Sequence, residues 1–222
     1  DREISPWDYR LAENIETVRN CHLAEYYGTR LHMCHVSTKE AVDAIRMSRL
    51  RGARVSCEVT PHHLWFDDSR LQYKVNPPIR KAEDVTALID AIKDGTVTCI
   101  GTDHAPHTAE EKQNGAAGMV GLETAFGVCY TKLCREQRLP LELLSFLMSA
   151  GPAAVMGLAD RKGLIAPGYD ADLVLVDLDH MYEVSADELH SKSKNCPYDG
   201  ALLYGKVVTT IKGGKVTFQI EE

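Results

Sequence analysis

The sequence predicts an α/β fold: a parallel sheet with crossover helices, followed by a small β-rich module. Short apolar strands alternate with helical patterns through the first part of the chain, and the strands read as buried rather than one-sided. From about Gly163 the texture changes to short β runs separated by turn residues. No low-complexity linker separates the two parts, so they are expected to pack together, with a boundary between residues 1–160 and 161–222. Three strand–helix units cannot close a barrel by themselves.

The first helix is expected from about Pro6 to Tyr27, on the spacing of Leu11, Ile15, Val18, Leu23 and Ala24, with Gly28 as its stop. A strand over Arg30 to Val36 follows. Ser37 with Glu40 has the form of a capping box for a helix running to about Leu50. The second unit pairs a β-branched strand, Arg54 to Thr60, with a helix from about Ala82 to Asp94 across a loop holding Asn76-Pro77-Pro78. The third joins a strand over Thr96 to Thr102 to a helix over Gly121 to Glu136 by a long loop. Leu141 to Leu158 is helical in pattern, with Pro152 marking a new start or a kink. The β runs are Leu173 to Val176, Leu202 to Tyr204, Val207 to Ile211 and Val216 to Ile220, with a hairpin signal at Gly213-Gly214.

The chain has 222 residues, 44% of them hydrophobic, and 25 basic against 32 acidic side chains give a formal net charge of −7. Such a composition excludes disorder and supports a sizeable core. No apolar run reaches the roughly 20 residues of a spanning helix, and Asp1-Arg2-Glu3 opens no signal peptide, so no membrane partner and a cytoplasmic location are expected. The acidic balance gives no footprint for nucleic acid. Seven cysteines, odd in number and without a Cys-x-x-Cys pair, fit reducing surroundings. A chain that opens at Asp1 and runs straight into a helical pattern is expected to be a fragment.

In parallel α/β architectures reactive side chains gather where strands end and loops begin. His35 stands there as a metal ligand or as a core histidine bonded to the backbone. His32, three residues earlier, falls on the opposite strand face by alternation and reads as structural. Asp103 leaves the apolar run Cys99-Ile100-Gly101-Thr102, where a carboxylate needs a metal, a cation or several N–H donors. His104 and His107 follow across Pro106 as candidates for binding an anionic group, for acid–base work, or as solvated loop residues. Adjacent His62 and His63, placed on a strand, point to opposite faces and read as structural. Without a metal pair, the same strand ends describe a plain ligand-binding or subunit-forming surface.

Four segments in series resemble the dihydroorotases of the amidohydrolase superfamily: Cys34-His35-Val36-Ser37-Thr38, Glu58 through Leu64 (Glu-Val-Thr-Pro-His-His-Leu), Lys74 through Arg80 (Lys-Val-Asn-Pro-Pro-Ile-Arg), and Gly101 through His107 (Gly-Thr-Asp-His-Ala-Pro-His). The likeness continues through Gly118 to Thr124, Gly168 to Val174 and Ser191 to Pro197, covering practically the whole chain. It implies a partial (β/α)₈ TIM-like barrel, strands six to eight with their helices, plus a small C-terminal β module. It implies a two-zinc enzyme interconverting dihydroorotate and N-carbamoyl-L-aspartate in pyrimidine biosynthesis. On that pattern His35 matches a zinc ligand after the sixth strand, and Asp103 matches the eighth-strand carboxylate that touches zinc and shuttles the proton. Asn76 and His107 match substrate contacts, as do Gly118 and Met119 through the backbone. The remaining metal ligands of the family are absent from this stretch, which is therefore expected to be inactive alone. Allantoinases and dihydropyrimidinases share the barrel and the metal chemistry; the Pro61-His62-His63 and Ala105-Pro106-His107 wording favours dihydroorotase. The other expectation is a non-catalytic subunit supporting aspartate transcarbamoylase, and a homo-oligomer is a further expected association. The Asp103–Gly118 loop is short for the family, Ala117 replaces a proline, and Gly151 replaces an asparagine ahead of Pro152, a change expected to affect a helix cap.

Overall fold

A computed structural model describes residues 9–220. Helix α1 (Arg10–Tyr27) ends as expected on Gly28, whose left-handed backbone returns its N–H to the Ala24 carbonyl. Its inward face, however, is Thr17, Cys21 and Ala24, while Leu11, Ile15, Val18 and Leu23 are exposed. Small residues at i, i+4 and i+7 let α1 lie close against the helix that follows β1 in the chain, Lys39–Leu50, so the larger apolar side chains turn away from this core.

Three parallel strands follow: β1 (Arg30–Met33), β2 (Arg54–Val59) and β3 (Cys99–Ile100), in that spatial order. The β1 and β3 strands are shorter than the apolar runs that contain them, because the chain leaves extended geometry at His35 and Asp103. Register sets His32 opposite Ser56 and Glu58 opposite Cys99. With Val55, Cys57 and Val59 buried against the helices, Ser56 and Glu58 occupy the other face.

The crossover helices α2 (Lys39–Leu50) and α4 (Ala82–Lys93) pack their apolar faces on that buried side. Thr38, not Ser37, caps α2, accepting from the Ala41 N–H at 3.1 Å. Ser37 is drawn off by a stronger set of partners: its hydroxyl donates to Glu13 at 2.5 Å and accepts from Arg80 at 2.9 Å. His62 and His63 lie on a one-turn helix, α3 (Pro61–Trp65), rather than on a strand, and both are buried. Thr60 caps that turn, and its hydroxyl also meets His63 Nδ1 at 2.7 Å. His63 Nε2 donates to the carbonyls of Pro77 and Pro78, fixing the loop that carries Asn76 across its cis peptide bond to Pro77. The structural role expected for His63 is the observed one, by a different geometry.

The loop expected between Asp103 and Gly118 contains a short helix, α5 (Ala109–Gln113), begun by a reciprocal capping box of Thr108 and Glu111. Helix α6 (Ala125–Cys129) continues in wider π-turns over Tyr130–Glu136. Beyond Pro140, α7 (Leu141–Ser145) passes through a second π segment into α8 (Gly151–Val155), with Pro152 in the first turn of α8. Gly151 is not a cap. A Cβ there would sit 2.1 Å from the Thr98 carbonyl oxygen, so the glycine lets this helix approach the backbone leading into β3.

An antiparallel sheet of β4 (Leu173–Glu183), β5 (Leu202–Lys212) and β6 (Lys215–Gln219) completes the fold, with the hairpin at Gly213-Gly214. It packs on the α/β unit as expected: Tyr198 stacks on Phe66 with centroids 5.0 Å apart, Leu203 shares a core with Val128, and the Tyr204 N–H donates to Thr131 at 2.8 Å. All seven cysteines are free thiols. No helix of the described residues is long and apolar enough to cross a membrane.

Candidate metal centre

Two strand ends of the parallel sheet turn their polar side chains toward one another. His35 (φ 55°) and Asp103 (φ 48°) both hold left-handed backbone, one just beyond β1 and the other just beyond β3. Among the described residues only Arg138 shares that conformation without being glycine. Such backbone costs on the order of 1 kcal/mol or more for a non-glycine residue and collects at functional sites. Its effect is to aim His35 Nε2 at Asp103 Oδ1, 3.6 Å away, too far for a hydrogen bond.

Glu58, at the end of β2, stands behind His35. Its Oε1 is 2.8 Å from His35 Nδ1, a nitrogen with no other partner among the described residues. Its Oε2 is 3.3 Å from His32 Nε2. His32 is therefore not on a separate face from His35. Strand alternation stops at Met33, and the left-handed turn at His35 brings both rings to one carboxylate. Glu58 carries no strand-end motif of its own; the signal in the sequence is a charged residue two places from Ser56, on the face that Val55, Cys57 and Val59 leave free.

The electrostatics follow from this crowding. Burial pushes the Glu58 carboxyl up, but the two imidazoles beside it prevail and hold it down at about 2. The neighbouring Glu58 raises His35 against its own desolvation, with Asp103 adding to the rise. Asp103 is itself held above the ordinary carboxylate range, chiefly by burial; His35 pulls it down and Glu58 pushes it up. Protons are thus retained where a bound cation would displace them.

One ligand atom from each of His32, Cys34 and Glu58 also falls within a 4.8 Å cluster, and Cys99 Sγ is 3.8 Å from His32 Nε2. Burial and the Glu58 charge push both thiols up, Cys99 to about 11, so neither is a thiolate at neutral pH without a metal.

Of the other candidate residues, Asn76 shares a cleft with His35, whereas His107, Gly118 and Met119 do not line it. Asn76 is exposed and opens, with His35 and Arg80, onto a cleft of about 500 Å³. His107 is turned into its own loop: Nε2 meets the Ala117 carbonyl at 2.9 Å, and Nδ1 lies 3.5 Å from Glu111. Gly118 (φ 131°) donates its N–H to Lys74 O, and its carbonyl accepts from Lys112 Nζ and Asn195 Nδ2 at 2.8 and 3.1 Å. Its Cβ position is filled by Ala105, 2.5 Å away. Met119 is buried, with its carbonyl accepting from the Ala105 N–H. His104 Nδ1 accepts from the Gly121 N–H at 3.1 Å, which fixes the ring on the loop. Ser193 donates to the His107 carbonyl, and Asn195 accepts weakly from the His107 N–H, so the 190s segment holds the same loop from outside.

The sequence profile of the amidohydrolase family matches residues 10–217. The chain belongs to the amidohydrolase family. A protein of Clostridium botulinum (strain Eklund 17B / Type B) named dihydroorotase is 51% identical over 98% of this chain and 54% of its own length. One of Lactobacillus johnsonii with the same name is 42% identical over 94% of this chain and 51% of its own. Among solved structures, a dihydropyrimidinase from Brevibacillus agri superposes with a TM-score of 0.89 at 26% identity, covering 93% of this chain and 48% of its own. An L-hydantoinase from Arthrobacter aurescens gives 0.89 at 32% identity over 94% and 49%. The amidohydrolase chain thus spans about half the length of the curated relatives it matches.

Proposed function

We propose that these residues form the C-terminal half of a zinc-dependent dihydroorotase, which opens and closes the cyclic amide of dihydroorotate on the route to pyrimidines. Residues 1–160 would supply barrel strands six to eight with their helices, and residues 161–222 the β module. The observation that carries the reading is the convergence of His35 Nε2 and Asp103 Oδ1 at 3.6 Å from left-handed strand ends. That spacing suits two ligands of one divalent cation, each about 2.0–2.2 Å from it. Identity of 51% to a dihydroorotase, against 26–32% to the hydantoinases and dihydropyrimidinase, supports dihydroorotate over a hydantoin-type ring. The exposed apolar side chains of α1, Leu11, Ile15 and Val18, support a second half packed against them.

His35 and Asp103 would hold the metal, which when bound polarises the amide carbonyl and makes water a nucleophile at neutral pH. Asp103, held protonatable by burial, would accept the proton of that water at its carboxylate and return it to the leaving ring nitrogen. Asn76, at the mouth of the cleft, would orient the ring. His107, Gly118 and Met119, which do not line that cleft, would meet the substrate from the loop beyond Asp103, with His107 giving up its Ala117 contact to reach the substrate carboxylate. Two ligands complete neither ion of a two-metal set, so the chain alone would be inactive and the other donors would come from the partnering half.

The test is a metal analysis and a ring-opening assay on the 222-residue chain, and on the same chain joined to the N-terminal half of the Clostridium botulinum relative. Turnover is expected only in the joined protein, and zinc is expected to be held much more tightly there than by the chain alone. There, Asp103→Asn is expected to lower turnover by about 10²–10⁴-fold. Robust turnover by the chain alone refutes the half-site reading, and an unchanged rate in the variant removes Asp103 from the mechanism.

A further inference from the structure

The carboxylate of Glu58 sits in a three-sided seat. On one side His32 presents Nε2 at 3.3 Å, its ring held at Nδ1 by Ser56 Oγ at 2.8 Å. On the second side His35 presents Nδ1 at 2.8 Å. The third side is Gly101, where a Cβ would lie 2.2 Å from Glu58 Oε1 and 2.6 Å from Oε2. Each oxygen has an imidazole of its own, and the backbone opposite has no side chain that could displace the group.

We infer that Glu58 is a positioning residue that orients His35 for metal binding. A carboxylate facing Nδ1 keeps the ring proton on that nitrogen and leaves the Nε2 lone pair directed toward Asp103, where the cation would lie. In the other tautomer Nε2 carries hydrogen and cannot bind. His32 holds the far oxygen, so Glu58 cannot swing out to take the cation itself. The inference rests on His35 and Asp103 being metal ligands. Its rival is that His32, Cys34 and Glu58 hold an ion directly.

The test uses the full 222-residue chain and reads two quantities besides activity: the nitrogen-15 shifts of the His35 ring in the metal-free protein, measured above the histidine titration range, and Co²⁺ affinity followed by visible absorption. In the unsubstituted chain the neutral His35 ring is expected as the Nδ1–H tautomer. In Glu58→Gln it is expected to shift toward Nε2–H, with Co²⁺ affinity falling about 10–100-fold. Glu58→Asp, which keeps the charge but withdraws it, should fall between, and it serves if the glutamine variant fails to fold by circular dichroism. Gly101→Ala, which crowds the carboxylate while leaving Glu58 in place, should move both readouts in the same direction. Cys34→Ser should leave the Co²⁺ spectrum unchanged. A His35 ring indifferent to Glu58→Gln and Glu58→Asp overturns the inference, as does a thiolate-to-cobalt band that Cys34→Ser abolishes. A chain that takes up no Co²⁺ argues against the metal reading above; the tautomer comparison still decides the role of Glu58.

Discussion

Arg80 is 6% exposed and meets Glu13, itself 14% exposed, at 2.9 Å, whereas Lys212 and Asp172 meet at 2.5 Å with exposures of 66% and 27%. The first pair joins α1 to the loop after Asn76 inside the parallel unit; the second ties the edge of the antiparallel sheet. Both are ion pairs of good length, yet they sit on opposite sides of the balance between desolvation and attraction. At Arg80 and Glu13 the charges have left water and depend on a few named partners. In the antiparallel module they keep their water. The candidate site belongs to the first regime, where a charge without its partner is costly enough to favour a bound cation.

The largest effect expected on stability is at Glu13. It accepts from the Ser37 N–H and hydroxyl, the Thr38 N–H and Arg80. Glu13→Ala leaves a buried guanidinium without this carboxylate and should cost about 3–5 kcal/mol in urea unfolding of the full chain. A loss below about 1 kcal/mol would mean that water already reaches the pair, and the contrast between the two regions would fail.

A smaller effect should appear with pH. Burial holds the His63 ring at about 4, below its ordinary 6.5, so the folded chain refuses a proton that the unfolded chain accepts. His62 is lowered in the same direction, by burial and then by the charge of His63. Stability from a depressed imidazole is fully present above pH 6.5 and is lost as pH falls toward about 4. For His63 the total approaches about 3 kcal/mol. Urea midpoints taken across that window should fall steadily, and His63→Gln should flatten the curve while lowering its neutral end. An unchanged slope in the variant assigns the acid sensitivity to other groups.

The legible and illegible parts of this molecule divide along the same line. Strand ends that leave an apolar run announce themselves, which is why His35 and Asp103 could be named from the sequence and why the structure brings them together. Glu58 depends on register between strands: its partners are His32 and His35 on β1 and the loop after it, and no local pattern contains that pairing. The buried face of α1 is not legible from apolar spacing, because its stripe is Thr17, Cys21 and Ala24, residues suited to close approach rather than to hydrophobicity. Ser37 reads as a cap because Glu40 stands three residues on; the distant pair Glu13 and Arg80 outcompetes that local arrangement. The Gly213-Gly214 hairpin is legible as a local turn signal, but β4 runs on to Glu183, past the apolar run that marks its start, and β5 joins two runs that read as separate strands.

The smallest effect expected is at Asp172, and it tests the exposed side of the contrast. Hydrogen bonds from Lys162 and Lys212, then from the Gly213 N–H, hold this carboxyl below its ordinary range. That could be mistaken for a strong anchor of the β5–β6 hairpin. Both lysines and the carboxylate remain hydrated, so pairing exchanges one set of good interactions for another and is screened by salt. Asp172→Asn should therefore leave the unfolding midpoint close to that of the unsubstituted chain, and about 1 M salt should erase what difference remains. Its visible consequence should be local: faster amide exchange at Gly213 and Gly214, where the carboxylate and the Ala171 carbonyl hold the turn. A large, salt-resistant loss would show that this corner is dry in solution, placing the antiparallel module under the same rule as Glu13 and Arg80.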